Sequence, residues 1–383
     1  MKIVKFAPAF SRSSQTFIYG LACALQHHLS DLRVLTLERE NAALRPFDPV
    51  DVLDEVIPAP EEHRLPLWVK VLGGGERETL TEQLVQYLLH HEPDLVHAHF
   101  GPAGAMRVDA CEAVGIPLVV SLRGYDASRL MKEGKWRRVY RDLFPRIQAL
   151  VLITDEMESR VRHYCENTPI VTIHAGKKVD DYPYGAPRRP IRRFLSIGRL
   201  VEKKGHDDTI RAIAHARQTG LDVSLQLVGD GEDRPLLEGL IDDLDAGGFV
   251  QLLGRLPHDE VKDLMAESDA FVLACRTASD GDKEGVPNVL KEAQLIGLPV
   301  LTTRHAGIPA VIPKTQHRWL VDERDWQALS WRIEDLARRD LDDLRAHTER
   351  ARAHVAMNFS REGEVLSHLK LYDRIINPPR KQP

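Results

Sequence analysis

Two carboxylates and two cations in the second half of the 383-residue chain have the types and spacing for phosphate chemistry. In "KEGVPNVLKEA" (283–293), Glu284 and Glu292 lie eight positions apart around the small and turn-forming run Gly285, Val286, Pro287 and Asn288. Val289, Leu290, Ala293 and Ile296 then follow helical spacing, so the stretch reads as a loop turning into a buried helix. Glu284 falls before the first helical turn, where free backbone N–H groups and the helix dipole favour a bound anion. Glu292 shares a helix face with Asn288. Upstream, "SIGRLVEKKG" (196–205) ends an apolar run with Gly198 and Arg199 and presents Lys204 and Gly205 where the next helix begins. Arg199 as a planar fork and Lys204 as a point charge suit a diphosphate clamp. Each feature alone also fits a capped helix or a solvated loop charge; their combination within one domain points to a phosphate seat.

These residues need elements to hold them. Short runs rich in Val, Ile and Leu recur with helical stretches between them: 2–7, 32–37, 95–100, 117–122, 149–154 and 170–175, then 193–199, 224–229, 250–254, 270–274, 299–303 and 319–321. Continuous apolar character, rather than alternation, suits strands buried on both faces of a parallel sheet. Helical patterns at 204–219, 258–268, 324–357 and 361–376 complete the series. Two successive βα series predict two doubly wound α/β domains, with the Pro/Arg-rich "YPYGAPRRPIRR" (182–193) as the linker. Ligands of such sheets bind beyond the carboxyl ends of the strands, so two facing domains are expected to enclose a cleft.

A chain of this length exceeds what one hydrophobic core usually serves. With 43% hydrophobic and 28% charged residues it has the composition of a globular protein, and its net charge of −5 gives no global drive toward nucleic acid. Cys23, Cys111, Cys165 and Cys275 show neither CxxC nor paired spacing, which argues against a zinc site or disulfide framework and fits a reducing cytoplasm. The start "MKIVKFAPAFSRSSQ" is broken by Lys5, Pro8 and Arg12, unlike a signal peptide. No apolar run approaches the roughly 20 residues of a membrane-spanning helix.

The motifs "GRLVEKKG", "LVGDGEDRPLLEGLI", "VQLLGRLPHDEV", "SDAFVLA" and "EGVPNVLKEAQLIGLPVLTTRHAGIP" resemble, in order and spacing, the C-terminal half of family 4 glycosyltransferases. That family is a large retaining group with the two-domain GT-B fold. "SRSSQTFI" (11–18), "HAHFGPAG" and "SLRGYDAS" are similar to its exopolysaccharide and lipopolysaccharide branch. The resemblance implies two Rossmann-like domains: an acceptor-binding one over 1–185, on which helix 361–376 packs back, and a donor-binding one over 186–360. It implies transfer of a hexose from a UDP- or GDP-linked donor to a saccharide or lipid-linked saccharide, without metal or other cofactor.

By the same resemblance, Arg199 and Lys204 hold the diphosphate, with Glu284 and Arg123 beside them in the reaction centre. Gly198, Arg255, Leu256, Gly285, Val286, Asn288, Val289 and Glu292 contact the donor, Glu292 through its ribose. Ser14, Gln15, Thr16, His99, Tyr125 and Asp126 line the acceptor side. Three positions depart from the family pattern. Pro287 offers no N–H, Arg123 stands where a histidine is common and cannot act as a base, and Ala310 stands where Glu is frequent. Epimerases, phosphorylases and non-catalytic regulators that bind nucleotide sugars share this fold and remain open alternatives.

Two further signals rank lower. "GDGEDR" (229–234) lacks the third glycine of a dinucleotide fingerprint, and His97 and His99 share a strand face without a third ligand nearby. The segment 128–146 holds seven Lys/Arg against two acidic residues, a net of +5, interleaved with Trp136, Tyr140 and Phe144. It reads either as a helix lying on an anionic membrane surface or as a solvated helix packing its aromatic face inward. The first reading would place the protein peripherally on the inner face of the plasma membrane.

Overall fold

The computed structural model describes residues 1–12, 16–53 and 74–379. The chain divides into two compact units: Met1–Gly176 together with Arg361–Pro383, and Lys177–Ser360.

In the first unit the strands are β1 (Lys2–Phe10), β2 (Asp31–Arg39), β3 (Val50–Val52), β4 (Leu95–His99), β5 (Leu118–Ser121), β6 (Ala149–Leu152) and β7 (Ile170–Thr172). They form one parallel sheet in the order β3-β2-β1-β4-β5-β6-β7. The second unit holds β8 (Arg193–Ile197), β9 (Ser224–Val228), β10 (Val250–Gly254), β11 (Ala270–Leu273) and β12 (Val300–Thr302), in the order β10-β9-β8-β11-β12. Strand order reverses between β1 and β4 in one unit and between β8 and β11 in the other. Both reversals leave a crevice at the strands' carboxyl ends.

Neighbouring residues on one strand feed opposite cores, which is why the strands read as unbroken apolar runs. Val119 packs with Ile3, Ala7 and Val151, while Val120 packs with Phe6, Ala98 and Leu150. In the second unit Phe194, Leu227 and Val272 enter one core, and Leu195, Val228 and Leu273 the other. A single polar substitution at such a position leaves a group without partners on either face.

Helices α1 (Thr16–Gln26), α2 (Gly74–His91), α3 (Gly134–Leu143), α4 (His206–Gln218), α5 (Arg234–Asp243), α6 (His258–Glu267) and α7 (Asn288–Ile296) lie between the strands. The expected helix over 324–357 is two: α8 (Trp326–Ala337) and α9 (Leu341–Asn358). Asp325 and Asp340 cap their starts, accepting from the amides of Ala328 and Asp343 at 2.8 Å each. Helix α10 (Arg361–Ile376) belongs to the first unit.

Three boundaries differ from the sequence reading. The units part at 176/177 rather than 185/186, because Tyr182 is buried in a core of the second unit and Gly185 N–H donates to Ile296 O at 2.8 Å. The expected strand 319–321 is the end of a 3₁₀ segment, Lys314–Trp319, followed by a single bridge between Val321 and Thr303. Strand β3 escapes the sequence because three residues with a central Asp51 carry no apolar run.

Candidate functional site

After β8 the chain turns sharply at the crevice of the second unit. Gly198 N–H donates to Val228 O at 3.0 Å, and Glu202–Lys204 form one 3₁₀ turn ending at Gly205. Gly205 has φ +61, and a Cβ there would collide with Ala274 O at the end of β11. Only glycine lets the two loops meet this closely. Gly229 serves the neighbouring loop likewise: at φ +146, its Cβ would strike Gly198 O. The glycines of "GDGEDR" thus pack one loop on another and need no dinucleotide to explain them. Buried His206 lies with Nε2 3.2 Å from Arg199 O. Burial lowers its pKa to about 4, so the ring is neutral.

The long connection from β11 to α7 faces this turn. Arg276 is held by Asp207 at 3.0 Å and Asp208 at 2.8 Å, and its N–H donates to Lys203 O at 3.0 Å. Asp282 Oδ2 lies 2.8 Å from Lys203 Nζ. Glu284 Oε1 lies 3.3 Å from Lys203 Nζ and 3.2 Å from Lys204 Nζ. Burial pushes the Glu284 carboxyl up, but the Lys204 and Lys203 charges prevail and set it at about 2. Burial lowers Lys203, yet Glu284 and Asp282 carry it above the ordinary lysine value. Arg199 is exposed at the rim. Glu202 anchors the turn from outside, accepting from Ser279 N–H at 2.8 Å and Ser279 Oγ at 2.7 Å.

Helix α7 starts at Asn288 after Pro287, so the Pro occupies a position whose missing N–H costs no helical hydrogen bond. One turn on, Glu292 forms an ion pair with Lys177, each side chain 12% exposed. The loop after β10 leaves Arg255 exposed and Leu256 half-buried against the core.

In the first unit, His99 Nδ1 lies 3.0 Å from Arg123 Nη2, and the Arg123 guanidinium stacks over the Phe17 ring at 4.8 Å. Asp126 is fully buried and accepts from the amides of Gly101, Arg123 and Gly124 at 3.1, 2.8 and 3.0 Å. His97 bridges Ser121 Oγ at 2.7 Å and Tyr372 OH at 2.6 Å, tying α10 to the sheet. Lys5 Nζ lies 3.4 Å from both His97 Nδ1 and Tyr372 OH, its pKa lowered by burial to about 7. Among the described residues no three His, Cys, Asp or Glu side chains are grouped to hold a metal ion.

The model described as glycosyl transferases group 1 matches residues 189–354, and that described as glycosyl transferase 4-like domain matches 14–176. The chain is 31% identical to the Salmonella typhimurium protein named colanic acid biosynthesis glycosyltransferase WcaL, over 70% of this chain and 68% of that one. The Escherichia coli K12 protein of the same name is 29% identical over 78% and 76%. The chain belongs to the family 4 glycosyltransferases. Its fold matches a crystal structure of Anabaena HepE in complex with UDP and glucose, at a TM-score of 0.76 and 19% identity over 97% of this chain and 99% of that one. The glycosyltransferase therefore has the GT-B fold.

Within the transferase, Gly198, Lys204, Glu284, Gly285, Val286, Asn288, Val289 and Glu292 gather in the second unit, and Arg199, Arg255 and Leu256 lie on loops at the same strand ends. Thr16 is exposed at the start of α1, and Tyr125 is 39% exposed. Ser14 and Gln15 lie outside the described residues. Asp126 is not a lining residue: its oxygens are committed to three amides that shape the loops after β4 and β5. His99 is likewise enclosed and braces Arg123.

Sequence reasoning missed Lys203, Asp282, Lys177, His305 and Glu323. Lys203 had a signal, since it adjoins Lys204 in "EKKG". Lys177 is 115 positions from Glu292, and no local pattern links them.

Proposed function

We propose that this glycosyltransferase moves a hexose from a UDP- or GDP-linked donor, bound by the second unit, to a saccharide or lipid-linked saccharide bound by the first, with retention of configuration, in cell-surface polysaccharide assembly. The carrying observation is the convergence of Lys203 and Lys204 on Glu284 at the reversal between β8 and β11, with Arg199 at the rim.

The barrier in such a transfer is negative charge developing on the departing phosphate oxygen. Fixed cations and helix N-terminal amides, placed beforehand, are then the largest catalytic contribution. Arg199, Lys204 and the amides of Asn288 and Val289 take the diphosphate, and Glu284 holds the lysines in place and meets the donor sugar. Glu292 accepts from the ribose hydroxyls. These groups supply the charge that a divalent cation supplies elsewhere, so turnover is metal-independent. The departing phosphate deprotonates the acceptor on the same face, as the resemblance to retaining family 4 enzymes implies, and Arg123, where a histidine is common, does not serve as a base. Names of similar proteins in colanic acid synthesis support the polysaccharide assignment.

The test is thermal stabilisation by UDP, GDP, ADP and CMP and their sugar conjugates, with and without divalent metal. Metal-independent stabilisation by one nucleotide class, lost in Glu292→Ala, is the expected result. No stabilisation by any of them overturns the donor-site assignment.

A further inference from the structure

One imidazole near the end of the long motif quoted above and one carboxylate beyond it grip both ends of the Glu284 loop. His305, fully enclosed, sits after β12 with Nδ1 2.6 Å from Glu323 Oε1, while its Nε2 accepts from the backbone N–H of Glu284 at 3.0 Å. Because Nε2 accepts, the ring proton is on Nδ1 and is donated to Glu323. Glu323 also accepts from Thr277 N–H at 2.8 Å and Thr277 Oγ1 at 3.2 Å. A single carboxylate thus holds Thr277 directly and Glu284 through one ring. Gly307 N–H adds a contact to Gly285 O at 3.2 Å.

The backbone beside each partner is strained. Ala306 has φ +43 and Arg324 has φ +66, a region that residues with a Cβ rarely occupy. They flank His305 and Glu323, and the Arg324 side chain holds the same loop, donating from Nη2 to Thr277 O at 3.0 Å and to Glu202 Oε1 at 3.1 Å.

We propose that Glu323 and His305 are positioning residues: a carboxylate–imidazole relay that fixes the Glu284 amide, and so places the Glu284 side chain against Lys203 and Lys204 for transfer. The assignment rests on the donor-site reading of the second unit. Neither residue touches the reacting atoms. Their effect is geometric, and a misplacement of about 1 Å costs on the order of 10²-fold in rate.

Hydrogen–deuterium exchange of the nucleotide-free full chain tests the relay without any substrate. In His305→Leu and in the near-isosteric Glu323→Gln, amides over 277–286 exchange faster than in wild type, while those of β8 and β11 do not change. In parallel, nucleotide release from UDP-glucose and GDP-mannose is followed. Expected is a kcat about 10²-fold lower in His305→Leu with donor KM within about threefold, and partial recovery in His305→Gln, whose amide oxygen restores an acceptor. Unchanged exchange in both variants overturns the relay, and so does faster exchange with wild-type kcat. A wild-type protein that turns over neither donor counts against the donor reading instead, and exchange still decides the relay.

Discussion

Glu284 Oε1 lies 3.2 Å from Lys204 Nζ, in a setting where the same carboxylate also reaches Lys203 at 3.3 Å. The two lysines are therefore not equivalent: Lys203 has a second carboxylate, Asp282, at 2.8 Å, and among the described residues Lys204 has only Glu284. On the proposed donor-site reading, Lys204 is the cation that an arriving diphosphate most readily takes over.

Lys204→Ala is expected to cut turnover by about 10²-fold or more, as for loss of one group that stabilises developing charge. Lys203→Ala, which removes a brace, is expected to cost roughly tenfold. Initial rates with the stabilising donor measure both. A Lys204→Ala enzyme of near wild-type rate refutes the role.

Acid should expose the same ion pairs. Glu284 titrates at about 2 against an ordinary value of 4.5, so its contribution to stability is fully present above pH 4.5 and is lost as pH falls toward 2. Glu202, held at about 2 by Ser279, loses its contribution over the same window. Urea unfolding of the wild type between pH 5 and 3 should show falling stability, and Glu284→Gln should flatten part of that slope. An unchanged slope in the variant assigns the acid sensitivity elsewhere.

The Lys177–Glu292 pair couples the start of the second unit to α7. Removing one partner of a largely buried pair strands the other charge, so Lys177→Met is expected to destabilise by about 3 kcal/mol. Glu292→Ala should also weaken nucleotide binding. A double-mutant cycle with nucleotide titration separates the two effects. Additive stabilities would mean that the pair contributes nothing.

The basic segment offers its charge to solvent. Lys132, Lys135, Arg137, Arg138 and Arg141 are exposed, whereas Arg146 is bound by Asp109 at 2.7 Å and Glu112 at 2.5 Å. Among the described residues no helix is long and apolar enough to cross a membrane. Flotation with vesicles containing anionic phosphatidylglycerol should carry the protein at low salt and release it at high salt, and a variant with Lys135, Arg137, Arg138 and Arg141 changed to Gln should stay behind. Equal recovery of both proteins with the vesicles removes charge as the cause.

Every strand of both sheets except β3, the loop-to-helix turn at 284–288 and the Arg199/Lys204 turn were legible in the sequence, because each is a local pattern: an apolar run buried on two faces, a glycine where two loops meet, a helix opening after proline. Strand β3 and the split between α8 and α9 were not, since three residues carry no periodicity and a cap at Asp340 interrupts none. Tertiary structure alone decided who braces the chemistry. Lys177 meets Glu292 of α7, Glu323 reaches Thr277 directly and Glu284 through His305, and Tyr372 of α10 reaches His97 of β4 only because each unit packs segments distant in sequence against one another. Hydrogen bonds and ion pairs act over about 3 Å of space and leave no period along the chain from which to read them.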